Sequence, residues 1–188
     1  YEVYVASEPR FKDFDFEGLT YRRIAPRISL GIVEPRNTQG VRVTDLERTV
    51  IDSIKDFEKI SGFEELMNCL SLIHYLDEVK LRTYLDAYSV QALYQRAGYL
   101  LEYFRDEMQL SQKFVEYCKN QVGKSTGYLL EEAKHGGVYV REWGLVVPEG
   151  LFTSDEHGGA KDTFGTPKAK APPTRNKRAT KMPTEPPC

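Results

Sequence analysis

The feature of this sequence that most constrains its fold is a change of hydrophobic period near residue 44. Before that point, residues 2–6 and 11–17 alternate apolar and polar side chains, as half-buried β-strands do. Further short strands are predicted in residues 19–24, 29–34 and 40–43, separated by prolines and Asn37. Residues 1–43 are therefore predicted to form a small antiparallel β region.

After residue 44, the apolar side chains recur every three to four positions, which is the period of an amphipathic helix. This period predicts five helices, within residues 45–57, 62–73, 77–88, 90–108 and 111–121. Short strands are predicted to follow at 128–130, 138–140 and 145–147. The whole pattern predicts an α+β fold, with the β region followed by a bundle-like, mainly helical half over residues 44–122.

The composition changes again after residue 152, which divides the chain into a predicted folded domain, residues 1–152, and a tail. Residues 153–188 hold six of the ten prolines and almost no aliphatic side chains. They carry seven basic and four acidic residues, a net charge of +3 that leaves −5 on residues 1–152. Because such a segment can bury little apolar surface, residues 153–188 are predicted to be a disordered basic tail.

The cysteines and the hydropathy indicate a cytoplasmic protein without membrane contact. The three cysteines are widely spaced and form no Cys-x-x-Cys pair, so neither a zinc site nor a disulfide framework is predicted. No apolar run approaches the roughly 20 residues that cross a bilayer. The chain also begins at Tyr1 inside a strand-like segment, so we expect an N-terminal part to be missing.

The segment TDLERTVID, residues 44–52, carries the most distinctive cluster of polar side chains. Thr44 and Glu47 have the spacing of a capping box, in which each side chain accepts the backbone N–H of the other residue. Asp45 and Glu47 would place negative charge at the positive end of the helix. Arg48 and Asp52 are four residues apart and can pair. The segment predicts a capped helix with a charged flank, and this cluster is a candidate interaction or structural site.

A second interpretation of the same segment is catalytic. Asp45, Glu47 and Asp52 could bind a divalent metal in a nuclease or a nucleotidyl-transfer enzyme. The Glu-x-Lys pair of restriction-type nucleases is absent, because Thr49 occupies the lysine position. No other segment has the spacing of a metal, cofactor or nucleophile motif. The sequence thus favours a domain without enzymatic activity, metal or cofactor, with the metal-dependent enzyme as the alternative.

Three arginines near the third predicted strand are candidate contacts to a nucleic-acid backbone. Arg22, Arg23 and Arg27 lie on this strand and on the turn that follows it. No aromatic- or glycine-rich nucleic-acid module surrounds them, so a solvated strand face is the other interpretation.

Three segments, in order, resemble a known family. The run GVRVTDLERTVID, residues 40–52, resembles the ERT-x-x-D element of AbiEi-type antitoxins, which are regulators of bacterial type IV toxin–antitoxin systems. GFEE at residues 62–65 is similar to the next helix start of that family. LYQRAGYLLE, residues 93–102, resembles its later R-x-G-Y-L-L-E helix. The resemblance covers approximately residues 1–102, and less clearly residues 143–148.

This resemblance implies a regulator with two parts that acts in abortive infection, a defence against phage. In the family, a winged helix-turn-helix reads operator DNA, and a C-terminal domain counteracts a nucleotidyltransferase-like toxin. No helix-turn-helix precedes the first strand of this sequence, so operator DNA would be contacted through a missing N-terminal domain. Residues 1–152 are accordingly expected to be the antitoxin-like domain of a transcriptional regulator, with self-association as a further expectation.

Overall fold

The computed structural model describes residues 1–152, and the predicted disordered tail, residues 153–188, lies outside the described residues. Along the described chain, five strands are followed by five α-helices and then by three more strands. This order confirms the predicted α+β class. Within residues 1–152, no helix combines the length and the apolar character needed to cross a membrane.

The first sheet contains β1 (Glu2–Ala6), β2 (Phe14–Phe16) and β3 (Leu19–Ile24), with β3 in the centre. β2 and β3 form a hairpin whose two turn residues, Glu17 and Gly18, both have positive φ angles of 50° and 79°. Such angles match the twist of a tight antiparallel hairpin. β1 occupies the other edge of β3 and runs parallel to it, because residues 7–13 carry the chain back before the hairpin. The first sheet is therefore mixed: the β2–β3 hairpin is antiparallel, as predicted, but β1 and β3 pair in parallel, whereas an antiparallel region was predicted.

A second, two-stranded sheet leads into the helices. β4 (Ile32–Val33) pairs antiparallel with β5 (Val43–Thr44), and the apolar side chains of both strands are exposed. A single residue, Asp45, separates the end of β5 from the beginning of the first helix at Leu46. The short sheet therefore sets the position from which that helix starts.

The five α-helices begin and end inside the five predicted segments. They are α1 (Leu46–Lys55), α2 (Phe63–Ser71), α3 (Glu78–Tyr88), α4 (Gln91–Tyr103) and α5 (Gln112–Asn120). α4 is shorter than predicted, because the chain leaves the helix at Phe104 and continues through turns. Met108 nevertheless remains fully buried, which explains why the apolar period continues beyond the helix.

The core lies between α1, α3, α4 and α5. α1 packs against α3 and α4, and α4 packs against α5. The contact faces consist of large side chains that are less than 2% exposed, among them Ile51, Ile54, Leu81, Leu85, Leu100, Leu101 and Phe114. Burial of each such side chain contributes about 1.5–3 kcal/mol.

A third sheet closes the described chain. It consists of β6 (Gly127–Tyr128), β7 (Val138–Val140) and β8 (Leu145–Val147), with β8 in the centre. β8 pairs parallel with β6 and antiparallel with β7. Short 3-10 segments precede β7 and β8, and the second of them ends at the buried Trp143.

Candidate functional site

The first turn of α1 is capped by Asp45. The Asp45 Oδ1 atom accepts the backbone N–H of Arg48 at 2.9 Å, and Oδ2 accepts the Tyr84 hydroxyl of α3 at 2.7 Å. The predicted capping box between Thr44 and Glu47 is therefore wrong. Thr44 is the last residue of β5, so the helix starts one residue later, and the Thr44 hydroxyl instead lies 2.7 Å from the Thr49 hydroxyl.

Glu47 joins the start of α1 to the start of α3. Its buried carboxylate accepts the backbone N–H of Asp77 at 3.1 Å and the Lys80 ammonium at 3.1 Å. Lys80 also lies 3.4 Å from the Asp45 carboxylate. Because Glu47 is bound by α3, its side chain does not turn back to cap its own helix.

Arg48 is the most connected side chain of the cluster. The predicted pair with Asp52 is present, and the Arg48 Nε atom lies 3.0 and 2.9 Å from the two carboxylate oxygens. Nη1 donates to the Leu30 carbonyl at 2.7 Å, and Nη2 donates to the Tyr88 hydroxyl at 3.1 Å. Tyr88 in turn donates to Asp52. A buried guanidinium is stable only when its donors are paired in this way, and Arg48 is 6% exposed.

The loop before β4 fits onto this cluster through Gly31. Gly31 has φ of +67°, and its carbonyl accepts the backbone N–H of Asp45 at 2.8 Å. A Cβ atom at this position would lie 2.7 Å from the Tyr84 ring and 2.9 Å from the Arg48 Cβ atom. Only glycine allows the loop to approach this closely.

The contacts of the cluster shift the pKa values of its members. Burial disfavours the Asp45 carboxylate, but the hydrogen bonds from Tyr84 and from the Arg48 backbone, with the charge of Lys80, lower its pKa overall. Burial and the bond to Asp45 raise the pKa of Tyr84 to about 12. Burial and the bond to Asp52 likewise raise the pKa of Tyr88. The cluster therefore favours an ionised Asp45 and neutral tyrosines.

The structure brings the predicted residues Asp45, Glu47, Arg48 and Asp52 into one network, but it gives each carboxylate a cationic partner. Lys80 lies between Asp45 and Glu47, and Arg48 holds Asp52. In the described range, no group of three or more His, Cys, Asp or Glu side chains could hold a metal ion. The network connects α1 to the loop before β4 and to α3.

A second polar cluster connects α4 to the third sheet. Glu102 accepts the indole N–H of Trp143 at 2.7 Å and the Lys119 ammonium at 2.8 Å. Gly98 lies under the indole, and a Cβ atom there would be 2.2 Å from the ring. Arg96 donates to the Tyr128 carbonyl at 3.0 Å. The arginine of R-x-G-Y-L-L-E therefore contacts β6, and its glycine and glutamate hold the 3-10 segment that leads into β8.

The buried Gln95 completes this second cluster. Its amide donates to the carbonyls of Ser125 at 3.1 Å and of Gly144 at 3.0 Å. Sequence reasoning used the segment only for its resemblance and missed its docking role. A signal was present, because Gln95, Gly98 and Glu102 recur at helical spacing and the chain has only one tryptophan, Trp143.

The three candidate arginines lie on or just after β3. Arg22 pairs with Glu2 at 2.7 Å and with Asp13 at 3.1 Å. Arg23 donates to the carbonyls of Pro9 and Glu8, each at 3.0 Å. Arg22 and Arg23 thus connect β3 to β1 and to the residues 7–13 loop, whereas Arg27 is exposed.

In comparisons with known proteins, no family model, no curated protein and no solved structure matches this chain.

Proposed function

We propose that residues 1–152 form a non-enzymatic, antitoxin-like domain of a transcriptional regulator in a bacterial type IV toxin–antitoxin system. The domain counteracts a nucleotidyltransferase-like toxin and supports autoregulation of its operon. Operator DNA is read by a separate winged-helix domain of the regulator. In this proposal the domain acts through its surface.

The observation that supports this proposal most is the internal pairing of the TDLERTVID side chains. Glu47 is 5% exposed and Arg48 is 6% exposed, and both are bound by groups from other elements. A catalytic carboxylate or a phosphate-binding arginine needs a face that substrate can reach. Because these side chains bind other parts of the same domain, they stabilise its fold. Recognition of a partner would then depend on other, exposed residues.

The resemblance is compatible with the same interpretation. ERT-x-x-D connects α1 to the loop before β4 and to α3, and R-x-G-Y-L-L-E connects α4 to the third sheet. Both motifs therefore have a physical reason to recur in proteins that share this arrangement of elements. A motif that maintains a fold identifies a type of domain without requiring chemistry.

Co-expression with the toxin tests the proposal. The nucleotidyltransferase-like protein encoded in the same operon is induced with and without this chain, supplied within its full-length regulator. We expect growth arrest by the toxin alone and recovery when the regulator is present. Absence of recovery, or absence of such a gene from the operon, contradicts the proposal.

A thermal melt in millimolar Mg²⁺ or Mn²⁺ distinguishes the metal-dependent enzyme. Specific metal binding must raise the melting temperature by mass action, so we expect no shift for the proposed domain. A shift that Asp45→Asn or Asp52→Asn abolishes would favour the nuclease or nucleotidyl-transfer alternative.

A further inference from the structure

An apolar groove lies on the face of α1 away from the Arg48 cluster. α1, α2 and the 3-10 segment Phe57–Ile60 form its walls, and it encloses about 810 Å³. The buried side chains of Val50, Leu66 and Leu70 line it. Leu46 and Leu72 also line it and are 48% and 76% exposed. Exposed leucines beside a concave apolar surface are typical of a protein-binding groove.

The charged residues around the groove are mainly acidic. Glu2, Glu58 and Glu65 line it together with Lys59, and Glu2 is already paired with Arg22 at 2.7 Å. Lys59 is already paired with Asp56 at 2.8 Å, whereas Glu58 makes no ion pair with any described residue. The groove therefore presents an apolar floor with carboxylates at its edge.

We propose that this groove binds a basic amphipathic helix of a partner protein. Apolar side chains at positions i, i+3, i+4 and i+7 of such a helix would cover the leucines, and flanking lysines or arginines would meet Glu58 and Glu65. The inference rests on the proposed function, in which the domain acts through its surface, because it names the surface that contacts a protein partner.

The charge of the chain argues against two other occupants. The carboxylates at the edge repel nucleic-acid phosphates. A second copy that used the same groove would bring Glu58 and Glu65 against identical carboxylates, which opposes self-association there. A basic amphipathic helix would cover the apolar floor with its apolar face and would place positive charge beside the carboxylates.

Protection of Cys69 provides a direct test. Cys69 lines the groove and is exposed, whereas Cys118 is buried. In the 188-residue chain carrying Cys188→Ser, alkylation of Cys69 is followed while a peptide is titrated. The probe is an amphipathic peptide of about five helical turns, with leucines along one face and lysines beside them. We expect saturable protection, and Kd to rise with salt.

Matched variants locate the binding surface. Leu72→Glu should weaken binding by about tenfold, which corresponds to about 1.4 kcal/mol. Val79→Glu should leave Kd unchanged, because Val79 is 73% exposed but lies on α3 outside the groove. Glu58→Gln with Glu65→Gln should weaken binding and reduce its salt dependence. Equal Kd values for lysine- and glutamate-flanked peptides, no protection of Cys69, or a dimer that Leu72→Glu dissociates would overturn the inference.

Toxin rescue separates the two proposals. If the regulator rescues growth and Leu72→Glu rescues equally well, the groove inference fails and the proposed function stands. If the regulator never rescues growth although the peptide still protects Cys69, the antitoxin role fails and the groove inference stands.

Discussion

At the scale of single residues, Arg48 shows how one buried charge can connect distant parts of the chain. Its guanidinium contacts Asp52 on its own helix, the Leu30 carbonyl before β4 and the Tyr88 hydroxyl on α3. Removal of one partner from such a group leaves the others desolvated and unpaired. The position should therefore be intolerant of substitution even if it has no role in recognition.

Arg48→Ala is expected to lower the free energy of unfolding by about 3 kcal/mol. The value lies at the lower end for a broken buried pair, because the Asp52 side chain is 34% exposed and can be hydrated. Urea denaturation measures the change. Lys134→Ala is the matched control, since its pair with Glu131 is exposed, and it should leave the free energy of unfolding almost unchanged. Similar losses for the two variants would show that the Arg48 network contributes little.

The Asp45 carboxylate, which caps α1, should make the stability of the domain depend on pH in the acidic range. Because the pKa of Asp45 is lower in the folded chain than in the unfolded chain, its contribution to stability is present above the unfolded pKa. It is lost as pH falls through the folded pKa. The variant Asp45→Asn retains a helix-capping oxygen but has no carboxylate to protonate. As the pH falls below about 5, we expect its free energy of unfolding to decrease less than that of the wild type. Urea denaturation at each pH measures the difference. Identical pH profiles would contradict this assignment.

At the scale of secondary structure, α4 contains a glycine, Gly98, whose low helix propensity is offset by its packing against Trp143. Gly98 lies in the middle of the helix, where glycine costs about 1 kcal/mol relative to alanine. The same position receives the Trp143 ring, and no Cβ atom fits between the two. Packing of the third sheet therefore outweighs local helix propensity.

Gly98→Ala is expected to destabilise the domain by about 1–3 kcal/mol, because the methyl group forces the indole out of its site. The same substitution in a Trp143→Ala background should destabilise much less, since the clash with the indole is gone and the helix gains propensity, and only the close contact with the Cys118 Cβ atom at 3.0 Å remains. Urea denaturation of the two single variants and the double variant measures the coupling. Additive effects would mean that Gly98 and Trp143 do not interact.

At the scale of the whole molecule, buried and half-buried tyrosine side chains hold the helical half together, in addition to aliphatic packing. Five tyrosines there have raised pKa values, namely Tyr84, Tyr88, Tyr94, Tyr99 and Tyr117. Tyr94 and Tyr117 both donate to Asp86, and so connect α4 and α5 to α3. Burial is the leading cause of every shift, so each phenol is neutral in the folded domain to a higher pH than in the unfolded chain.

This arrangement predicts alkaline unfolding. Because the pKa of Tyr84 rises from 10.0 to about 12 on folding, its contribution is present below pH 10 and is lost as pH approaches 12. Each pKa unit corresponds to about 1.4 kcal/mol. Tyr84→Phe should flatten the fall in stability over this range, as measured by urea denaturation together with tyrosinate absorbance. An unchanged slope would contradict it.

Much of this architecture could be predicted from local patterns. The α+β order, the five helices and strands β1, β3, β7 and β8 follow from hydrophobic period and turn residues, because these signals lie within a few neighbouring side chains. The pair of Arg48 and Asp52 could be predicted for the same reason, since helix geometry alone places them together. The parallel pairing of β1 with β3 could not, because it depends on how residues 7–13 return the chain.

The sequence by itself determined that TDLERTVID forms a charged helix start, and only the tertiary structure decided what its charges contact. Glu47 has the spacing of a capping residue, yet it binds α3 some 30 residues away. Arg48 reaches carbonyls that no sequence pattern marks. Local spacing governs interactions within one helix, whereas burial against other elements determines which partners remain when water is excluded, and for this segment burial prevailed.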